Sequence, residues 1–471
     1  MKSLPIRFFL LLNLMSIMTV SAQRAVLSGN ITNAKVDFVK AGYRKSLVGY
    51  DDNEKDFRID KKGNFKIVLD LKKEESISIT IDEQYTKLYL QPGDSMHVKI
   101  DYSDFDNSLI YSGRNSEKNM FLKDFNNRFV YGHEQEVYQR LANSKTIDFR
   151  DYCDSLLVEK KKFLYSWKGT SDLDKHFISI FSEDLDYENA SLKLSYPGMW
   201  SYFRKFNDSV PEMPYSYFSF IADIPQKPAG APISHKYFEY ASSLVENALF
   251  NFHHRYNLRL TAKEQVAIAR TILKNEEVFK AYEALTVLNS LENRKFKEAE
   301  NFYLDYVKEN PNSPYLEKLK ETYLKIERLS PGKPAPGFAL MDEKGKERKL
   351  EEFKGKIIYL DFWASWCGPC IRELPFSKKL KTDFEGKDVV FLNISIDDNE
   401  KSWKDALQKH GMSGVNLLAP TFNNKICEAY NVVGIPAYFL INRDGTIYDN
   451  NPPRPSDEAG VRMTLNAALG N

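Results

Sequence analysis

The chain has 471 residues, 66 basic against 65 acidic, a formal net charge of +1 and 4 cysteines. That length exceeds one ordinary core and predicts about two to four domains. The charge balance excludes a global basic field for holding nucleic acid, the 13% aromatic content excludes a disordered chain, and so few cysteines exclude a disulfide framework.

Residues 1–22 read as a cleavable signal peptide. Lys2 and Arg7 form a basic start, and the apolar run Phe8 to Val20 is too short to span a bilayer comfortably. Val20-Ser21-Ala22 supplies small residues before a cut at Gln23. The rival reading, an anchor helix, suffers from the same short length. No cysteine follows the run, which argues against a lipoprotein anchor. Removing Lys2 and Arg7 takes the formal charge from +1 to −1. The expectation is a periplasmic or otherwise exported chain.

Residues 23–112 read as strands. Phe65 to Leu69, Ser76 to Ile81, Lys87 to Leu90 and Met96 to Ile100 are short runs separated by turn residues such as Gly63-Asn64 and Pro92-Gly93. This predicts a small antiparallel sandwich. The stretch LYLQPGDSMHVKID resembles the β domain found ahead of Bacteroidetes thioredoxin-like proteins. Residues 113–330 carry apolar positions at three- and four-residue steps and predict an α-helical domain of stacked hairpins. Its clearest helices are Ala262 to Leu273, Val278 to Leu291, Lys295 to Val307 and Pro314 to Leu329. Tyr196 to Ile233, rich in proline and aromatics without a period, predicts a long packed loop. Ser330 to Gly337 reads as a linker by composition.

Residues 331–471 form the last predicted domain. A hairpin around Asp342 to Gly345 precedes a strand, Lys356 to Phe362, then a helix from about Cys370, a strand Val389 to Ile396 and a helix Glu400 to His410. A helix Asn424 to Tyr430, strands Ala437 to Ile441 and Thr446 to Tyr448, and a helix Glu458 to Leu469 complete an α/β fold with a mixed sheet covered by helices.

Trp366-Cys367-Gly368-Pro369-Cys370 sits where the predicted strand hands over to the helix. Two cysteines at this spacing can form a disulfide, and the first lies at a helix N-terminus, where unpaired N–H groups favour a thiolate. Only the thiolate attacks a disulfide. The rival is half of a zinc site, which needs two further ligands at close spacing. Cys153 and Cys427 do not supply them and read as small buried hydrophobes. The adjacent His253 and His254 point apart and make a poor metal pair. No metal and no cofactor is expected.

The segments GKPAPGFAL, YLDFWASWCGPC and GIPAYFLINRDG closely resemble the TlpA/ResA-like thioredoxins, exported thiol-disulfide oxidoreductases. The resemblance covers about residues 331–471 and implies a thioredoxin-like fold. It makes Cys367 the attacking thiol and Cys370 the resolving thiol. Gly368 and Pro369 match the reducing members, which favours a protein-disulfide reductase. Pro436 takes the place of the family's cis-proline, leaving the Ile435 backbone free to pair with substrate. Asp361 takes the place of a buried acid able to accept a proton from Cys370, with its usual lysine partner replaced by Asn393. Glu373 matches an acidic residue one helical turn beyond Cys370, against the plainer reading of a surface glutamate. Trp366 is expected to pack beside the dithiol and shield it, and Trp363 to be core or groove wall. Pro375 is expected to kink the helix.

The implied partners are disulfide-containing protein substrates and a membrane thiol-transfer reductant. Three rival functions stand beside this reading. A peroxiredoxin-like peroxidase would need a proline and a threonine where Leu360 and Ala364 stand. An envelope binding protein would use residues 23–330, with redox secondary. A homodimer placing two dithiols across a cleft would be an isomerase.

Overall fold

The computed structural model describes residues 23–33, 36–49, 54–82, 84–169, 173–203, 213–227, 233–292, 296–421 and 424–470. The expected signal peptide lies outside the described residues. Among the described residues no helix is long and apolar enough to cross a membrane. The chain divides into two units, residues 1–227 with 232–247, and residues 228–231 with 248–471.

In the first unit, period-two alternation builds the strands β1 (Gln23–Thr32), β2 (Phe38–Tyr43), β3 (Lys55–Arg58), β4 (Asn64–Leu71), β5 (Glu75–Ile81), β6 (Gln84–Leu90) and β7 (Ser95–Asp101). A short helix, α1 (Phe105–Ser108), leads to β8 (Ile110–Gly113). The strands form two four-stranded sheets, β4-β1-β7-β8 and β3-β2-β5-β6. Leu27, Ile67 and Val98 of one sheet share a core with Val39, Ile79 and Leu88 of the other, which makes a sandwich. It is not wholly antiparallel, because β1 and β7 run parallel. The chain reaches β7 from β6 in the opposite sheet, so β7 enters beside β1 by a crossover instead of a hairpin.

Four helices follow, α2 (Ser116–Phe129), α3 (Glu134–Asn143), α4 (Thr146–Ser166) and α5 (Lys175–Phe203). Phe121 meets Phe177 and Phe181 edge-on, with ring centroids 5.9 and 5.1 Å apart, in the aromatic core beneath α2, α4 and α5. The helix α5 continues through Pro197 to Phe203, and Tyr215–Asp223 is a 3₁₀ helix, so Tyr196 to Ile233 is not one long loop. Proline removes the N–H that would bond the carbonyl of Lys193, four residues back. The buried hydroxyl of Tyr217 donates to that carbonyl at 2.9 Å. A side chain from the following segment thus satisfies the acceptor that Pro197 leaves open. The helix α6 (His235–Tyr256) contributes its residues up to Asn247 to this unit.

In the second unit, helices α7 (Ala262–Ile272), α8 (Glu276–Glu292), α9 (Phe296–Glu309) and α10 (Leu316–Glu327) appear where the apolar spacing places them. Thr261 and Glu264 form a reciprocal capping box that starts α7. Val278, Ala281, Ala284, Val287 and Leu291 bury α8, which packs against α7, α9 and α10.

The C-terminal sheet begins with β9 (Ala339–Asp342), β10 (Glu347–Lys349) and β11 (Ile357–Trp363). Then come α11 (Gly368–Asp383), β12 (Val389–Ser395), α12 (Glu400–His410), β13 (Val415–Leu418), α13 (Lys425–Ala429), β14 (Ala437–Ile441), β15 (Ile447–Asp449) and α14 (Glu458–Leu469). The sheet order is β10-β9-β13-β12-β11-β14-β15, with β11 parallel to β12 and antiparallel to β14. Every residue of β11 is buried because helices cover both faces. Ile358, Leu360 and Phe362 enter one core; Ile357 and Tyr359 enter a second core with Leu380 and Phe384 near the end of α11 and Val461 and Leu465 of α14. The segment before β9 is not a free linker. The Gly332 amide donates to the Ile447 carbonyl at 2.8 Å, the Ile447 amide to Lys333 at 2.8 Å, and the Ala335 amide to Gly445 at 2.9 Å.

Candidate active site

The site is built at the C-terminal end of the central strand. After Trp363 the chain turns and enters α11 with Cys367 as its N-cap residue. Gly368 and Pro369 occupy the first turn, where proline costs nothing because the helix needs no N–H from it. Cys367 and Cys370 form a disulfide with Cα atoms 5.2 Å apart. The Cys370 amide donates to Cys367 Sγ at 3.1 Å. This is the hydrogen bond that a thiolate at the same position would receive. Both sulfurs are secluded, Cys367 being 5% and Cys370 2% exposed.

The Ile435–Pro436 peptide bond is cis. It brings the Ile435 carbonyl oxygen to 3.8 Å from Cys367 Sγ. Three segments distant in sequence thus converge: the end of β11, the start of α11, and the turn into β14.

Asp361 is a buried acid of the site, 6% exposed, and among the described residues its Oδ1 lacks a hydrogen-bond partner. Desolvation pushes its pKa up to about 7, against the pull of Lys381 and with a further push from Glu373. Its neighbours across the sheet are Asn393 on β12 and Tyr438 on β14. Asn393 does not replace the lysine. Its amide donates to Asn416 Oδ1 at 2.7 Å, whereas Lys381 on α11 supplies the positive charge. The strand sequence does not point to this lysine, because it comes from the helix. Lys381 donates to the Ser413 carbonyl at 2.6 Å, and desolvation brings its pKa down to about 8.

Glu373 is buried rather than on the surface. Its carboxylate accepts from the Ser456 amide at 2.9 Å and the Ser456 hydroxyl at 2.8 Å, tying α11 to the loop before α14. Trp363 is core, at 0% exposure, while Trp366, next to Cys367 in sequence, stands 60% exposed. Pro375 lies inside α11. Leu360 and Ala364, where a peroxidase would carry proline and threonine, are buried and apolar. Cys427 is buried and its thiol pKa is raised by desolvation; Cys153 is pushed up to about 12 by the same cause. His254 stacks on Phe250, and His253 Nδ1 lies 2.9 Å from the Leu258 carbonyl. Among the described residues no group of three or more His, Cys, Asp or Glu is placed to hold a metal ion. Sequence reading passed over Asp397, whose carboxylate contacts Ser365 in the turn ahead of Cys367.

Residues 331–450 match the model of the AhpC/TSA family. The thiol-disulfide oxidoreductase ResA of Bacillus thuringiensis subsp. konkukian is 31% identical over 125 residues, 26% of this chain and 71% of the relative. ResA of Bacillus subtilis is 30% identical over 121 residues, 26% of this chain and 66% of the relative. Among solved structures, a thiol-disulfide oxidoreductase from Bacteroides fragilis is 26% identical, covering 28% of this chain and 100% of that one, with a TM-score of 0.27. A thiol:disulfide interchange protein from a Bacteroides species is 28% identical, covering 30% and 92%, with a TM-score of 0.27. A paired dithiol at a helix N-terminus and the ResA match bear on the same C-terminal domain, and through that domain the chain belongs to the ResA family of thiol-disulfide oxidoreductases.

Proposed function

We propose that the protein is an exported protein-disulfide reductase in which Cys367 attacks and Cys370 resolves. The observation that carries this reading is the disulfide at the N-terminus of α11, with Cys367 Sγ receiving the Cys370 amide beside the cis Ile435–Pro436 bond. In the reduced enzyme the Cys367 thiolate attacks one sulfur of a substrate disulfide. A mixed disulfide forms and the first substrate sulfur leaves as a thiolate, which takes a proton from water. Cys370 then loses its proton, with Asp361 as the acceptor, and attacks Cys367 Sγ. The intramolecular disulfide forms and the second substrate sulfur leaves as a thiolate, which takes the proton held by Asp361. Two electrons have passed from the dithiol to the substrate, with one proton from Cys370 by way of Asp361 and one from water. Trp366, Gly368, Pro369 and Ile435 form the surface on which the substrate chain lies, with the Ile435 backbone pairing to it.

An exported dithiol stays reduced only if electrons reach it, and a membrane thiol-transfer protein is the proposed donor. The deciding measurement is the reduction potential of the Cys367–Cys370 pair together with turnover on a disulfide-bonded peptide. A potential near about −270 mV with turnover supports the reductase; one near about −120 mV assigns an oxidase instead.

A further inference from the structure

The four residues before α11 form a turn of their own. The Cys367 amide donates to the Ala364 carbonyl at 3.1 Å. The carboxylate of Asp397, just past β12, grips the middle of that turn. Its oxygens accept from the Ser365 amide at 3.0 and 3.2 Å, and Oδ1 accepts from the Ser365 hydroxyl at 2.5 Å. Ser395 holds the carboxylate from the other side. The Ser395 hydroxyl donates to Oδ2 at 2.6 Å and accepts from the Asp397 amide at 3.0 Å. Asp397 is 1% and Ser395 0% exposed. The base of this clamp is part of the sheet, because the intervening Ile396 amide donates to the Trp363 carbonyl at 2.9 Å. A carboxylate is costly to bury unless donors satisfy it, and here every donor to it comes either from the turn it grips or from the serine that orients it.

The covalent bond to Cys370 restrains Cys367 only in the oxidised state. In the dithiol state that restraint is gone, yet the thiolate gains from the helix N-terminus only while Cys367 remains at the N-cap. We propose that Asp397 is a positioning residue for thiol exchange: by gripping Ser365 it keeps Cys367 at the head of α11 after the disulfide opens. The proposal rests on the reading of Cys367 as the attacking thiol. Asp397 acts through the turn and touches no reacting atom.

The test uses the full reduced chain and follows, by mass spectrometry, the pH midpoint of iodoacetamide alkylation at Cys367. Asp397→Ala raises that midpoint by roughly one unit, and the pair's potential moves about 30 mV more negative, the equivalent of a tenfold change. If Asp397 acted through its charge alone, removing it would lower the midpoint, so an unchanged or lowered midpoint in the folded variant overturns the proposal. Should Asp397→Ala fail to fold, the serine decides. Ser365→Ala keeps the carboxylate and raises the midpoint by several tenths of a unit, whereas Ser365→Thr restores it; an unchanged Ser365→Ala also overturns the proposal. A wild-type Cys367 that alkylates no faster than an ordinary thiol would sink the functional reading itself.

Discussion

Asp361 on β11 and Lys381 on α11 hold each other's charge in a space that penalises both. Desolvation raises the acid to about 7 and lowers the base to about 8, while each partner pulls the other back toward ionisation. Lys381 is occupied by the Ser413 carbonyl, and Asp361 Oδ1 has no hydrogen-bond partner among the described residues. The acid is therefore poised to exchange a proton near neutrality, which is where a general base is most effective.

This poise has a stability signature. The folded chain holds a proton on Asp361 up to about pH 7, whereas the ordinary carboxyl releases it near 3.8. Between those values the folded state binds more protons, so stability falls as pH rises through this window and levels off above it. Asp361→Asn removes that slope. Relative to wild type, the variant gains roughly 2–4 kcal/mol between pH 4 and pH 8, read from denaturant midpoints at the two pH values. A constant difference across the window would mean that Asp361 titrates as an ordinary carboxyl.

Replacing Lys381 by Met takes away the attraction that favours the Asp361 carboxylate. The acid limb of the pH–rate profile then moves upward by roughly 0.5–1 unit with the folded structure retained. Steady-state turnover from pH 5 to pH 9 measures it. A limb that stays in place would separate Lys381 from the proton transfer.

Cys370→Ser leaves Cys367 able to attack but nothing to resolve the product. Incubation with a disulfide-bonded protein accumulates a mixed disulfide through Cys367, visible on a non-reducing gel and lost on adding reductant. The Cys367→Ser variant forms none. Adduct on the Cys367→Ser variant and none on Cys370→Ser would reverse the assignment of attacking and resolving thiols.

Far from the dithiol, Tyr217 carries a specific burden. Its hydroxyl satisfies the Lys193 carbonyl that Pro197 leaves without a donor. Tyr217→Phe strands that acceptor and costs about 1–3 kcal/mol. In the double variant Pro197→Ala/Tyr217→Phe the restored amide takes over, and the loss shrinks. Urea melts of the four proteins close the cycle; additive losses would show that the two residues act independently.

The C-terminal domain was largely legible because its signals are local. The dithiol spacing, the glycine-isoleucine-proline turn and the periodic helices mark their positions without knowledge of the rest. What escaped depended on non-local arrangements. The strand Val415–Leu418 is only four residues long and is fixed by neighbours on both sides. Lys381 meets Asp361 by helix geometry across twenty residues of chain, so the strand positions beside Asp361, Asn393 among them, do not reveal it. Asp397 bears no motif; its partners Ser365 and Ser395 lie on separate segments. In the first unit, alternation showed the strands but not the crossover that makes β1 and β7 parallel, and Pro197 hid the continuation of α5 because its compensating hydroxyl comes from elsewhere.

The strap formed by residues 332–335 against Gly445 and Ile447, at the start of β15, has a practical consequence. β15 ends the seven-stranded sheet, and an uncovered edge strand is a template for pairing with another molecule. An excised domain that begins after the strap would expose that margin and tend to self-associate, whereas one that begins ahead of Ser330 would retain its own cover and stay monodisperse.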